Sequence, residues 1–271
     1  MNDKNLFDLD SVLKQANLVK EIVSTSSMEQ KNQALKAAAD SINDSRQDLK
    51  KQNDIDMEEA TKKDLLESFV DRLKLNDQRM DSMISGLKKV IDLKDPVGQI
   101  SNKSTSPSGF QVSKMRVPLG VIGVIYESRP NVTADASALC LKSGNVSILR
   151  GGSEAINSNR AIEKCMIDGL KHAELPEHSI QLLKNQDRSL VAEMIKKEKE
   201  IDLIIPRGGK NLIKVIANDS NVPVLKHYDG LCHVYLDEDA DSKKAKEIAL
   251  NAKTYRFGIC GAMETLLISE T

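Results

Sequence analysis

Two rhythms of apolar and polar positions divide the chain. Up to about residue 95, apolar residues recur every three to four positions: Leu35, Ala38, Ile42 and Leu49 line one face, and Met80, Met83, Ile84, Leu87 and Ile91 line another. That spacing predicts helices with one buried stripe. Ser27 and Gln30 form an S-x-x-Q capping box at a helix start, and a later helix begins near Asn76. The methionines read as core filler and the intervening Lys, Glu and Asp as a solvated face. Asp95-Pro96-Val97-Gly98 breaks the pattern, and residues 101–109, rich in Ser, Thr, Asn and Pro, read as a turn or loop. Phe110, Val112 and Met115 roughly alternate with polar residues, which suits a hairpin arm able to pair with another subunit.

From Leu119 the rhythm changes to short apolar runs alternating with helical stretches. Strands are expected at 121–126, 146–149, 180–183, 203–205, 224–225, 234–236 and 264–268. Helices are expected at 132–142, 154–172, 190–197, 212–217 and 243–254. Strands alternating with helices imply an α/β fold: N-terminal helices followed by a doubly wound, mostly parallel sheet. Ligands in such sheets sit at the carboxyl ends of the strands, so chemistry is sought in the loops that follow them.

Composition narrows the partners. The 271 residues carry 39 Lys+Arg against 40 Asp+Glu, a net charge of −1, with 3% aromatics and no Trp. Neither a basic face nor stacking platforms favour a nucleic acid or an anionic membrane. The longest apolar stretch, 117–126, is half of the ~20 residues a bilayer crossing needs, and the polar start lacks a secretory signal. A cytoplasmic protein acting on a small molecule is expected. Cys140, Cys165, Cys232 and Cys260 form no C-x-x-C pair, and the histidines show no H-x-x-x-H spacing. Free thiols and no metal site follow.

Four segments carry candidate chemistry. Arg150-Gly151-Gly152-Ser153-Glu154 joins a strand to a helix, where amide groups and the helix dipole favour an anion. Arg150 and Ser153 suit a phosphate. The segment equally admits a plain tight turn. No ribose-reading acid stands where NAD would need one, which tilts the reading toward NADP. Arg207-Gly208-Gly209 repeats the design, but without G-x-G-x-x-G, so an ordinary Rossmann dehydrogenase is disfavoured; this turn either holds pyrophosphate or borders a nicotinamide. In Tyr126-Glu127-Ser128-Arg129-Pro130-Asn131, Asn131 is either a helix cap or an amide donor aimed at a developing oxyanion. Finally, Gly258-Ile259-Cys260-Gly261 sets a cysteine between glycines, past a helix bearing Lys253 and Arg256. Small neighbours expose its sulfur and cations favour the thiolate. Cys140, Cys165 and Cys232 read as packed apolar residues.

These pieces, in this order, resemble the aldehyde dehydrogenase superfamily and, within it, the gamma-glutamyl phosphate reductases. The resemblance runs from about Phe69 onward. It is carried by FVDRLKLNDQRM, LKDPVG, VPLGVIGVIYESRPNVTADASALCLKSGN, ILRGGSEA, DLIIPRGGKNLI, HYDGLCHVYLDEDAD and NAKTYRFGICGAMETLL. It implies NADPH-dependent reduction of gamma-glutamyl phosphate to glutamate-5-semialdehyde in proline biosynthesis. Cys260 would attack the acyl phosphate to form a thioester, with Asn131 and the Cys260 amide holding the oxyanion, and hydride would then reduce the thioester. Arg129 and Arg256 would bind substrate phosphate or carboxylate. Gly151, Gly152, Ser153, Glu154, Arg207, Gly208 and Gly209 would join Arg150 around NADP(H). Lys226-His227-Tyr228-Asp229-Gly230 lacks the glutamate that activates water in hydrolytic relatives, which suits a phosphate-releasing enzyme.

The resemblance also implies an organisation: a helical part of the cofactor domain at 1–95, an oligomerisation arm at 96–118, an NADP-binding α/β domain at 119–255, and the start of an incomplete catalytic domain at 256–271. A homo-oligomeric full-length form is expected. The family has Gln, Pro and Asn where this chain has Tyr255, Phe257 and Gly261. Two rival readings stand beside it: a truncated NADP-binding module without turnover, and another acylating aldehyde dehydrogenase.

Overall fold

The computed structural model describes residues 9–65, 67–226, 230–255, 257 and 259–270, apart from the side chains of residues 67 and 68. The chain divides into two compact units, Met1–Lys226 and His227–Thr271.

The first unit opens with five helices: α1 Leu9–Thr25, α2 Met28–Asp44, α3 Arg46–Lys62, α4 Glu67–Leu73 and α5 Asp77–Asp92. The capping box at α2 forms as expected, Ser27 accepting from the Gln30 amide while the Gln30 side chain accepts from Ser27 N–H. Asn76 caps α5, and Met80, Met83, Ile84 and Leu87 are buried. One difference concerns Leu49. It does not continue the helix that carries Leu35, Ala38 and Ile42: that helix ends at Asp44, and Leu49 lies on α3, buried in the same core. The break at Ser45 interrupts the helix by a single residue and leaves the apolar spacing almost intact, so periodicity alone runs through it.

β1 Ile100–Thr105 and β2 Gln111–Met115 form an antiparallel pair, exposed along its whole length. Here the loop expected at 101–109 gives way to a strand as far as Thr105. With neither face buried, β1 has no apolar alternation, and ladder hydrogen bonds rather than side-chain burial define it. The root of this arm is fixed from below. Lys31, fully buried on α2, reaches Asp95 at 2.5 Å, and the same carboxylate accepts from Val97 N–H at 2.9 Å.

Then come β3 Val121–Tyr126, α6 Asn131–Lys142, β4 Val146–Arg150, α7 Ile156–His172, β5 Ile180–Leu182, α8 Ser189–Met194, β6 Leu203–Arg207 and α9 Lys210–Asp219. A short 3₁₀ turn, Ser153–Ala155, precedes α7. The strands make one parallel sheet in the order β5-β4-β3-β6. Every residue of β3 is buried, which explains its unbroken apolar run: covered on both faces, it has no polar side. The expected strand at 224–225 is a single bridge, Ile204 to Val224.

The second unit holds β7 Cys232–Leu236, α10 Ser242–Thr254 and β8 Met263–Ile268, with β7 and β8 paired in parallel. No helix among the described residues is long and apolar enough to cross a membrane.

Candidate active site

The loops after β3, β4 and β6 meet at the carboxyl end of the sheet. The loop after β3 joins the other two. Ser128 is buried and left-handed, φ +34°, a conformation that costs a residue with a Cβ unless its surroundings fix it. Glu154 fixes it: its Oε1 accepts from Ser128 N–H at 2.7 Å and from the hydroxyl at 2.5 Å. On the other side, Glu127 Oε2 accepts from Gly209 N–H at 3.0 Å. Adjacent residues of one loop thus tie both glycine turns together.

The first turn is built around buried contacts. Arg150 Nη1 donates to the Gly151 carbonyl and Nη2 to the Gln186 carbonyl, each at 3.0 Å, while its Nε is buried without a partner. Burial lowers the Arg150 pKa; the Glu154 charge opposes this, and Arg188 adds to it. Gly151 is needed for room: a Cβ there would lie 2.2 Å from Asn159 Nδ2 and 3.1 Å from the Tyr126 ring. Asn159 belongs to a buried chain, Tyr126 hydroxyl to Thr133 hydroxyl at 2.7 Å and Thr133 to Asn159 Oδ1 at 3.0 Å. Burial raises the Tyr126 pKa, so the phenol stays protonated. Gly152 makes room for the Glu154 carboxylate, since a Cβ would lie 2.1 Å from Oε1.

The anion position at the start of α7 is taken by the protein itself. Asp56, buried on α3, accepts from Asn157 N–H at 3.2 Å, Asn157 Nδ2 at 2.8 Å, Ser158 N–H at 2.8 Å and Ser158 hydroxyl at 2.6 Å. A ligand phosphate near this turn would therefore meet Arg150, the exposed Ser153 and the 3₁₀ turn rather than the first amides of α7. Glu154, grouped with cofactor binders in the sequence, spends its carboxylate on Ser128.

Asn131 is the first residue of α6, and the capping position before it belongs to Pro130. Its amide donates to Asp135 Oδ2 at 2.9 Å, and burial raises the Asp135 pKa, against the lowering effect of that bond. Arg129 is exposed on the same loop. Arg207, Gly208 and Gly209 are all exposed; a Cβ on Gly208 would meet Glu127 Cδ at 2.8 Å, and one on Gly209 would meet nothing within 4 Å.

In the second unit, the Cys260 thiol-bearing residue is exposed, whereas Cys140 and Cys165 are buried and Cys232 is half-buried. Burial pushes the Cys140 thiol up to about 12 and also raises Cys165, so neither supplies thiolate near neutral pH. The Cys260 carbonyl accepts from Cys232 Sγ at 3.3 Å and lies against Gly230, where a Cβ would stand 2.2 Å from that oxygen. Lys253 donates to the Met263 carbonyl at 2.9 Å and pairs with Glu264 at 3.8 Å. Arg256, Gly258 and residues 227–229 lie outside the described residues. Among the described residues, no group of three or more His, Cys, Asp or Glu comes together as a metal site.

Sequence reasoning missed Asp56, Glu127, Ser128 and Asn159. Only the helix-start pair Asn157-Ser158 offered a signal, and it points to local capping rather than to a partner on α3.

The first unit carries two glycine turns at the carboxyl ends of parallel strands, and the second carries an exposed cysteine. The chain belongs to the aldehyde dehydrogenase family, whose pattern it matches over residues 2–271. It is 48% identical to the gamma-glutamyl phosphate reductase of Psychrobacter cryohalolentis over 262 residues, covering 97% of this chain and 60% of that protein. The crystal structure of gamma-glutamyl phosphate reductase from Thermotoga maritima superposes with a TM-score of 0.88 at 44% identity, over 97% of this chain and 63% of that one. The Saccharomyces cerevisiae gamma-glutamyl phosphate reductase gives 0.74 at 36% identity, over 96% and 65%. The chain thus spans about 60% of the length of the curated relatives it matches.

Proposed function

We propose that the protein takes part in the NADPH-dependent reduction of gamma-glutamyl phosphate to glutamate-5-semialdehyde, with release of phosphate, a step of proline biosynthesis. The exposure of Cys260, alone among the cysteines in being fully open, is the observation that carries this reading. Its sulfur attacks the acyl carbon, the C–O bond to phosphate breaks, and a thioester remains. The Asn131 amide and the Cys260 N–H serve as oxyanion donors, and Arg129 and Arg256 as partners for substrate phosphate or carboxylate. In this role Asn131 turns its amide from Asp135 toward the substrate.

The first glycine turn fits a phosphorylated dinucleotide: a half-buried guanidinium with an unpartnered Nε, beside an exposed Ser153 hydroxyl. Arg150, Gly151, Gly152 and Ser153, with Arg207, Gly208 and Gly209, would hold NADPH, which supplies hydride when bound. Glu154 contributes by holding the loop that carries Arg129 and Asn131. Residues 256–271 would begin the catalytic part, and four free cysteines suit a reducing cytoplasm.

Oxidation of glutamate-5-semialdehyde with phosphate and NADP tests the assignment. Cys260→Ser is expected to lower turnover by more than about 10³-fold; turnover that survives the substitution would falsify the nucleophile.

The exposed β1–β2 arm, with Phe110, Val112 and Met115 open to solvent, supports pairing between subunits of a homo-oligomer. Replacing residues 100–115 by a short turn is expected to yield monomers in sedimentation; an unchanged assembly would rule the arm out.

A further inference from the structure

Arg150 brings one cation to the end of β4, and the β5–α8 loop brings another. Because Arg150 Nη2 donates to the Gln186 carbonyl at 3.0 Å, its guanidinium lies against that loop. Two residues further on, Arg188 immediately precedes α8 with an exposed side chain. Among the described residues, no hydrogen bond or ion pair engages its guanidinium. Asp187, between them, is turned to the helix start: its carboxylate accepts from Ser189 N–H at 2.9 Å, and the bonds from Ser189 lower its pKa. Glu154, the acid whose charge reaches Arg150, is committed to Ser128. Arg188 in turn sits near enough for its charge to depress the Arg150 pKa, alongside the larger effect of burial. The result is two guanidiniums on one rim, one anchored by carbonyls and one unspent.

We propose that Arg188 is a specificity-determining residue which, with Arg150, clamps the phosphomonoester on the adenosine ribose of the cofactor. The inference rests on the NADP reading above and adds a residue and a loop to it. A phosphomonoester offers three acceptor oxygens and close to two negative charges, enough for both guanidiniums. It also removes their mutual repulsion, whereas a ribose hydroxyl relieves neither charge. Discrimination between the two cofactors thus comes from a pair of cations that share a single nearby carboxylate, Glu154, whose oxygen is held by Ser128. Anchoring of Arg150 on the Gln186 carbonyl sets the distance between them.

Calorimetric titration of the chain with 2′,5′-ADP and with 5′-ADP tests this without turnover. Arg188→Gln is expected to weaken 2′,5′-ADP by about tenfold or more while changing 5′-ADP by less than about twofold. Arg188→Lys should recover part of the loss, and the thermal midpoint should stay within about 2 °C in both variants, since the side chain is exposed. An equal loss for both ligands, or none for 2′,5′-ADP while the unsubstituted chain still prefers it, overturns the role of Arg188 and leaves the NADP reading standing. No preference for 2′,5′-ADP in the unsubstituted chain overturns both.

Discussion

The two Arg-Gly-Gly turns share three residues and the same place at the end of a parallel strand, yet the fold uses them differently. The first follows β4, an interior strand between β3 and β5, and both of its glycines are buried. The second follows β6, at the sheet edge, where Arg207, Gly208 and Gly209 are exposed. In the first, the missing Cβ of Gly151 admits Asn159 and the Tyr126 ring; in the second, Gly208 admits Glu127 while Gly209 faces open space. A glycine turn is therefore not one device. Its neighbours decide whether the glycines serve packing, a carboxylate or close approach by a ligand.

That difference orders the expected effects. Removing the carboxylate beneath the first turn, Asp56→Ala, strips four donors at the start of α7 of their acceptor inside the core. A loss of about 3 kcal/mol is expected in denaturant unfolding, and a loss below about 1 kcal/mol would mean that water replaces Asp56. Gly151→Ala should cost about 1–3 kcal/mol by forcing Asn159 and Tyr126 apart. Gly209→Ala should stay within about 0.5 kcal/mol, because its φ of −64° suits any residue and nothing stands in the way. Equal costs at the two glycines, measured side by side, would erase the contrast between interior and edge.

Much of the sheet was readable from the chain because a parallel strand covered on both faces is apolar throughout, as β3 is, and β4 keeps most of that run. β1 was not, since a strand exposed on every residue carries no period to read. The break at Ser45 escaped for the opposite reason: apolar spacing carried across it. The exposure of Cys260 was foreseeable from its small glycine neighbours, and the two turns from their glycines. The carboxylates that fill those turns were not. Asp56 meets α7 from about a hundred positions upstream, and no local pattern announces a pairing over that span. Asn131 shows the same limit: the sequence offered a cap or an oxyanion donor, and the amide instead bonds Asp135 one turn along its own helix. Membership of the aldehyde dehydrogenase family was legible because motifs preserve order along the chain even where individual partnerships do not.

The grip on the Cys260 carbonyl has a consequence for how the sulfur is aimed. With the Cys232 thiol donating to that oxygen and the bare α-carbon of Gly230 pressed beneath it, the entry to β7 acts as a mould for the cysteine loop. Any side chain at position 230 would push on the peptide of Cys260. Oxidation of Cys232 would likewise withdraw the sulfur–hydrogen donor. The setting of the Cys260 backbone is thereby governed from the entry to β7, by two residues well upstream of it in the chain.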